Sequence, residues 1–245
     1  MLNRTLEPEV MDSEQDALEY DRMDHSAVNV RFVDEFLHFA TANQLRLRVA
    51  EDPDFDDLED ESVIGGILDV GTGTALIPIE LCKRSAEIRV MAIDLAVSML
   101  DLAIRNVDIA CMRDQIQLAQ IDAKDSGLED EMFDAVISNS IIHHIPEPAS
   151  TVAEMIRTTR EGGAIFVRDL MRPGSSSEVD SLVDLYAAEE TEYSRRLFSE
   201  SLHAALSLEE MRELVSNAGV DPETVTATSD RHWTCLLYTS PSPRD

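Results

Sequence analysis

Five short apolar runs, Gly66–Val70, Arg89–Ile93, Ile116–Ile121, Ala135–Ser138 and Ala164–Val167, are separated by stretches with the spacing of amphipathic helices. That alternation leaves few architectures open, because a strand followed by a crossover helix returns as a parallel neighbour; it predicts an α/β fold on a parallel sheet. Helices are expected at Ala75–Arg84, Val97–Ala110, Ala149–Thr159 and Leu208–Ala218. The last opens on Ser207 with Glu210 three residues on, a capping box, and closes at Gly219. Pro78 is expected in the first turn of its helix, where a missing N–H costs little.

The first strand ends in Asp69-Val70-Gly71-Thr72-Gly73. Glycines here let the chain turn sharply out of the strand and leave backbone N–H groups open to a ligand. The second strand ends at Asp94, twenty-one positions after Gly73, where an α/β nucleotide site places the acid that takes ribose hydroxyls. A dinucleotide fold would carry a third glycine where Leu76 stands, and pyrophosphate would sit poorly beside Asp69. A cationic ligand suits that acid better.

Further along, Asp122-Ala123 closes the third run, and Phe133 to Ser140 leads the fourth into Asn139. Together with Asp69-x-Gly71-x-Gly73, these strand ends make residues 65 to 170 resemble the class I S-adenosylmethionine (SAM)-dependent methyltransferases, in the broad group that includes the quinone C-methylases. Ala75 departs from the third glycine often seen in that family's first motif. The resemblance implies a Rossmann-like doubly wound sheet and SAM as cofactor, with S-adenosylhomocysteine as product. It assigns Asp69, Gly71, Thr72, Gly73, Asp94, Leu95, Met99, Asp122, Ala123 and Asn139 to cofactor binding. Within that set, Leu95 and Met99 pack on the adenine and Asp122 meets its amino group. The activity implied is in-line methyl transfer to a small-molecule acceptor. A non-catalytic SAM-binding scaffold and an NAD(P)-dependent oxidoreductase are the alternatives, the second disfavoured by Leu76 and Asp69.

The densest chemistry is Asn139-Ser140-Ile141-Ile142-His143-His144-Ile145-Pro146. His143 and Asn139 are the expected catalytic pair, orienting the acceptor, or with His143 as a general base, since imidazole titrates near neutrality. The family resemblance equally gives this histidine a loop-shaping role. Metal ligation is not expected, because adjacent side chains seldom converge and no third ligand is suggested.

Acids outnumber bases 49 to 20, for a net charge of −29, and Lys83 and Lys124 are the only lysines. A sequence-independent grip on phosphates needs many basic contacts, so nucleic acid is not an expected partner. No apolar run approaches a membrane span or has the flanks of a signal peptide, which predicts a cytoplasmic protein. Cys82, Cys111 and Cys235 are odd in number and lack C-x-x-C spacing, so neither a disulfide framework nor a zinc site is indicated.

Residues 1–62 read as an N-terminal helical cap, with amphipathic patterns at Ser13–Met23 and Val28–Thr41, followed by an acidic linker with eight acids between Glu51 and Glu61. Tyr20, Asn29 and Arg31 are lid candidates over the pocket. Residues 63–171 form the SAM-binding core and 172–206 a helical insertion, where Tyr193, Arg195, Arg196 and His203 are acceptor-side candidates. Residues 207–234 supply the final helix and strands six and seven, with Asp230, Arg231 and His232 at the ligand edge. Residues 235–245 resemble one reading frame of a sequencing-library adapter, so the natural chain is expected to end near Thr234 with its seventh strand truncated. Pro241 and Pro243 would also break a sheet-interior strand.

Overall fold

The computed structural model describes residues 2–7, 12–22, 26–45 and 66–239. The acidic linker lies outside these, as do Met23 and the two tail prolines. The N-terminal helices are α1 (Glu14–Arg22) and α2 (Ser26–Ala42). The core then runs β1 (Ile67–Val70), α3 (Leu76–Cys82), β2 (Val90–Asp94), α4 (Val97–Ala110), β3 (Ile116–Gln120), β4 (Phe133–Asn139), α5 (Ala149–Thr158) and β5 (Thr159–Leu170). After it come α6 (Ser176–Tyr186), α7 (Glu192–Ala204), α8 (Leu208–Asn217), β6 (Val225–Ala227) and β7 (His232–Tyr238).

The seven strands lie in the order β3-β2-β1-β4-β5-β7-β6. The first five are parallel, and β7 runs antiparallel to both β5 and β6. The strand order reverses between β1 and β4, so their carboxyl ends open a crevice of the kind that takes ligands in such sheets. Alternation along the strands feeds two apolar layers. Ile67, Val90, Ile137 and Phe166 face α2, α3 and α4 through Phe32, Phe36, Ile79, Leu81 and Val107. Leu68, Val70, Ile93, Val136 and Ile165 face α5 and α8 through Val152, Met155, Met211 and Val215. Phe32 meets Phe166 edge-on at 5.0 Å, which fastens α2 to the sheet.

The helical insertion forms as expected, α6 and α7 packing through Val179, Val183 and Leu202. The capping box at Ser207 and Glu210 is present, and Gly219 takes the left-handed conformation after α8. Strand β5 is longer than its apolar run. Its first residue, Thr159, pairs with Phe133, and the ladder resumes at Ala135 and Ala164, so Arg160 to Gly163 make a bulge.

Seven strands form on the sequence as given, the last of them reaching into residues 235–238. Strand β7 continues through Cys235 to Tyr238 in full register with Ala164 to Val167 of β5. It does so because Trp233, Cys235 and Leu237 fall on one face and pack into the α5–α8 layer, while both prolines come after the strand has ended.

Candidate functional site

The turn after β1 is built from left-handed residues. Gly71 and Gly73 have φ of 73° and 55°, and Ala75, in the same region at 62°, begins α3 without a side-chain cap. The Gly73 N–H donates to Asp94 Oδ2 at 2.8 Å, and Ala96 N–H donates to Asp94 Oδ1 at 2.9 Å. The acid that ends β2 therefore holds the glycine turn and the start of α4 in one arrangement. Burial raises the Asp94 pKa, opposed by the N–H groups of Ala96 and Gly73.

These elements border a cleft at the carboxyl ends of β1 to β4. Gly71, Gly73, Asp94, Leu95, Met99, Asp122, Ala123 and Asn139 all line it, joined by Tyr20 from α1. The cleft encloses about 800 Å³ of space, part of it open solvent. Asp122 caps its own turn, accepting from Lys124 N–H at 2.9 Å. Asp69 and Thr72 lie instead in a smaller adjoining hollow beneath the glycine turn, shared with Tyr20, Asn29 and Asn139. Burial pushes the Asp69 carboxyl up to about 7, with the Asp94 charge adding to it and the Thr72 hydroxyl opposing. Tyr20 is pushed up to about 12 by burial and by Asp94 and Asp69.

Two lid candidates, Tyr20 and Asn29, thus reach the site, and Arg31 does not: it is exposed and pairs with Glu35 at 2.7 Å. The acceptor-side candidates of the insertion also stay away from the cleft. Arg195 binds Asp184 and the Ala187 carbonyl, Arg196 lies over the Tyr193 ring, and His203 Nδ1 meets the Ser199 carbonyl. Arg231 stacks on Tyr186, whose hydroxyl donates to Asp230, and His232 is held by Ser229 at 2.9 Å.

The structure separates the two histidines. His143 is 3% exposed and turned inward, with Nδ1 2.5 Å from Asp169 Oδ1. His144 is the imidazole that lines the cleft. Burial disfavours the charged form of His143, but the Asp169 carboxylate outweighs it and raises the pKa; His144 is lowered by burial and by its neighbour. The reason is the 3-10 turn at Ile142–His144, whose residues point about a third of a turn apart. Asp169 was not foreseen, although it stands one residue before the end of β5. Glu7, which sits beside both imidazoles, carries no sequence signal.

Residues 68–167 match the family model described as a methyltransferase domain. The chain is 32% identical over 103 residues to phosphatidylethanolamine N-methyltransferase of Cereibacter sphaeroides, covering 42% of this chain and 49% of that protein. To demethylmenaquinone methyltransferase of Porphyromonas gingivalis it is 27% identical over 164 residues, covering 62% and 66%. The chain thus spans about half to two thirds of the length of these relatives. Among solved structures, a SAM-dependent methyltransferase from Aquifex aeolicus superposes with a TM-score of 0.62 at 15% identity, covering 93% of this chain and 98% of the other. An arsenic(III) SAM methyltransferase from Chlamydomonas reinhardtii gives 0.52 at 22%, covering 89% and 75%.

SAM, the cofactor this family implies, fits the residues present. A side chain at Gly73 would project into the cleft, meeting nothing nearer than Tyr20 at 3.8 Å, so the glycine keeps that space clear. The buried acids, rather than bases, beneath the turn suit a cationic ligand. Residues 68–167 are thus similar to a methyltransferase domain, on a fold shared with solved SAM-dependent methyltransferases.

Proposed function

We propose that this chain moves a methyl group from SAM to a small-molecule acceptor. The observation that carries the reading is the convergence of four strand ends on one cleft, with Asp94 bonded to the Gly73 N–H. Bound SAM supplies an electrophilic methyl on a sulfonium. Asp94 takes the ribose hydroxyls, Leu95 and Met99 pack on the adenine, and Asp122 with Ala123 reads its amino edge. Asp69 and Thr72 sit below the turn, where Asp69 favours the positive end of the ligand. Asn139, which lines both the cleft and the hollow, orients the acceptor. Holding acceptor and donor in line supplies most of the rate, without an obligatory base. His143, enclosed between Asp169 and Glu7, shapes the loop.

The relatives' names cite an amine and a quinone acceptor, so both chemistries belong in the trial pool. No helix among the described residues is long and apolar enough to cross a membrane. The free cysteines suit a reducing compartment, and we place the protein in the cytoplasm, with no nucleic-acid partner.

Calorimetric titration with SAM, S-adenosylhomocysteine and NAD, followed by transfer of labelled methyl into a pool of amines, phenols and quinols, tests the reading. Binding of the first two and label in an acceptor are expected. NAD binding in their place would refute it, and SAM binding with no label in any acceptor would leave a scaffold.

A further inference from the structure

The turn after β4 carries a cluster that cofactor binding does not use. The 3-10 turn sets the rings of His143 and His144 side by side, centroids 4.1 Å apart and planes at 35°. Residues 2–7 lie across this turn. Arg4 donates to the carbonyls of Ala204, Pro146 and Ile145 at 2.7, 3.0 and 2.9 Å, and Thr5 N–H donates to His203 O at 3.0 Å. So fastened, the segment places Glu7 Oε1 3.6 Å from His143 Nε2 and 3.0 Å from His144 Nδ1. The Glu7 side chain is 8% exposed. Its other oxygen accepts from Ser201, while the buried Oε1 and His144 Nδ1 face each other at 3.0 Å and have no further hydrogen-bond partner among the described residues.

We propose that Glu7, His143 and His144 form a site for one divalent transition-metal ion, of which Zn²⁺ is the reference case. The three donor atoms lie within 4.8 Å of one another. Tetrahedral zinc with N and O ligands at about 2.0–2.2 Å holds its donors about 3.4 Å apart, and the separations of 3.0 and 3.6 Å straddle that value. The far nitrogen of His143 already meets Asp169, whose second oxygen accepts from the N–H of Ile142 at 2.5 Å and of His143 at 3.3 Å. A carboxylate on the outer nitrogen fixes the tautomer and aims Nε2 at the ion, as around many metal-bound histidines. Three protein ligands leave one position open. Since His144 lines the cleft, the ion would sit beside the space that the methyltransferase reading gives to the acceptor. Metal binding itself does not depend on that reading.

The full chain, stripped with EDTA and desalted, would be titrated with Zn²⁺ against a chromogenic chelator, and with Co²⁺ while recording visible absorption, in the absence of SAM. One ion per chain with Kd of about 1 μM or tighter is expected, with the intense absorption of four-coordinate Co²⁺. Glu7→Gln and His144→Ala, each checked for native circular dichroism, should lose at least about tenfold in affinity, and Asp169→Asn about 10- to 100-fold. Cys111→Ser, removing the exposed thiol, should leave binding intact. Failure of the parent chain to take up a stoichiometric ion overturns the proposal, as does affinity indifferent to Glu7→Gln and His144→Ala or abolished by Cys111→Ser. Because methyl transfer is not the readout, these results are separable from failure of the methyltransferase reading.

Discussion

The Asp94 carboxylate accepts the N–H of Gly73 at 2.8 Å across twenty-one residues of chain. One side chain therefore sets the height of the glycine turn and offers its remaining lone pairs to the cleft. Asp94→Ala should weaken SAM by about 2–4 kcal/mol, or about 30- to 1000-fold, as hydrogen bonds to a charged acceptor and the turn geometry are lost together. Calorimetry of the variant checks this, and an affinity within threefold of the parent would remove Asp94 from the cofactor site.

Asp69 makes ligand affinity depend on pH. Its folded value of about 7 lies well above the ordinary carboxylate range. Below that pH the group is increasingly neutral, so affinity for a cationic cofactor should fall as pH drops from 8 to 6 and should flatten in Asp69→Asn.

The same shift carries the opposite sign for stability. An acid raised in the folded state binds its proton more tightly there than when unfolded, so stability falls as pH rises from about 4 to about 7, and the loss persists above. At about 1.4 kcal/mol per unit the penalty is on the order of a few kcal/mol. Asp69→Asn should therefore melt higher than the parent at pH 8, with the advantage shrinking toward pH 4 in thermal scans.

Gly71 packs against the loop after β4 so closely that an added Cβ would fall 2.4 Å from Ile141 Cδ1, in a backbone with φ of 73°. Gly71→Ala should destabilise by about 2–4 kcal/mol, combining overpacking with the left-handed penalty. Trimming Ile141 to Ala in the same chain should return only part of the packing share, since Ile141 Cβ still lies 2.8 Å from the added atom, which a double-mutant cycle in urea would measure.

Removing residues 235–245 should be costly even if that segment is foreign in origin. It strips the β5 ladder from Ala164 to Val167 and leaves Val225 of β6 without Cys235. Unpaired buried backbone groups and the loss of Leu237 from the α5–α8 layer should lower the denaturant midpoint sharply. An unchanged midpoint would show that β7 contributes nothing beyond Thr234.

What could be read in advance follows from what is local. Helix α4 falls on the residues Val97–Ala110 that its periodicity gives, and the cleft-facing strand ends sit where apolar runs stop at an acid or an asparagine. Side-chain direction at the 3-10 turn was not legible, because one residue of register exchanges His143 for His144 and Asp169 settles which. Glu7 was hidden more thoroughly, since Arg4 and Thr5 fix its place through backbone carbonyls, which leave no trace in side-chain type. The pairing of residues 235–238 in β7 was not read in advance, because that segment was set aside for its resemblance to an adapter sequence.

The position of β7 between β5 and β6 has a consequence for assembly. Strand β6 is made first but pairs with β7 alone, so during synthesis it has no ladder to join until the following strand leaves the ribosome. The parallel half of the sheet, with the strand ends that line the cleft, can form earlier. Completion of the antiparallel edge is the late step, and a chain arrested before Trp233 would expose the apolar edge of β5 to other nascent chains.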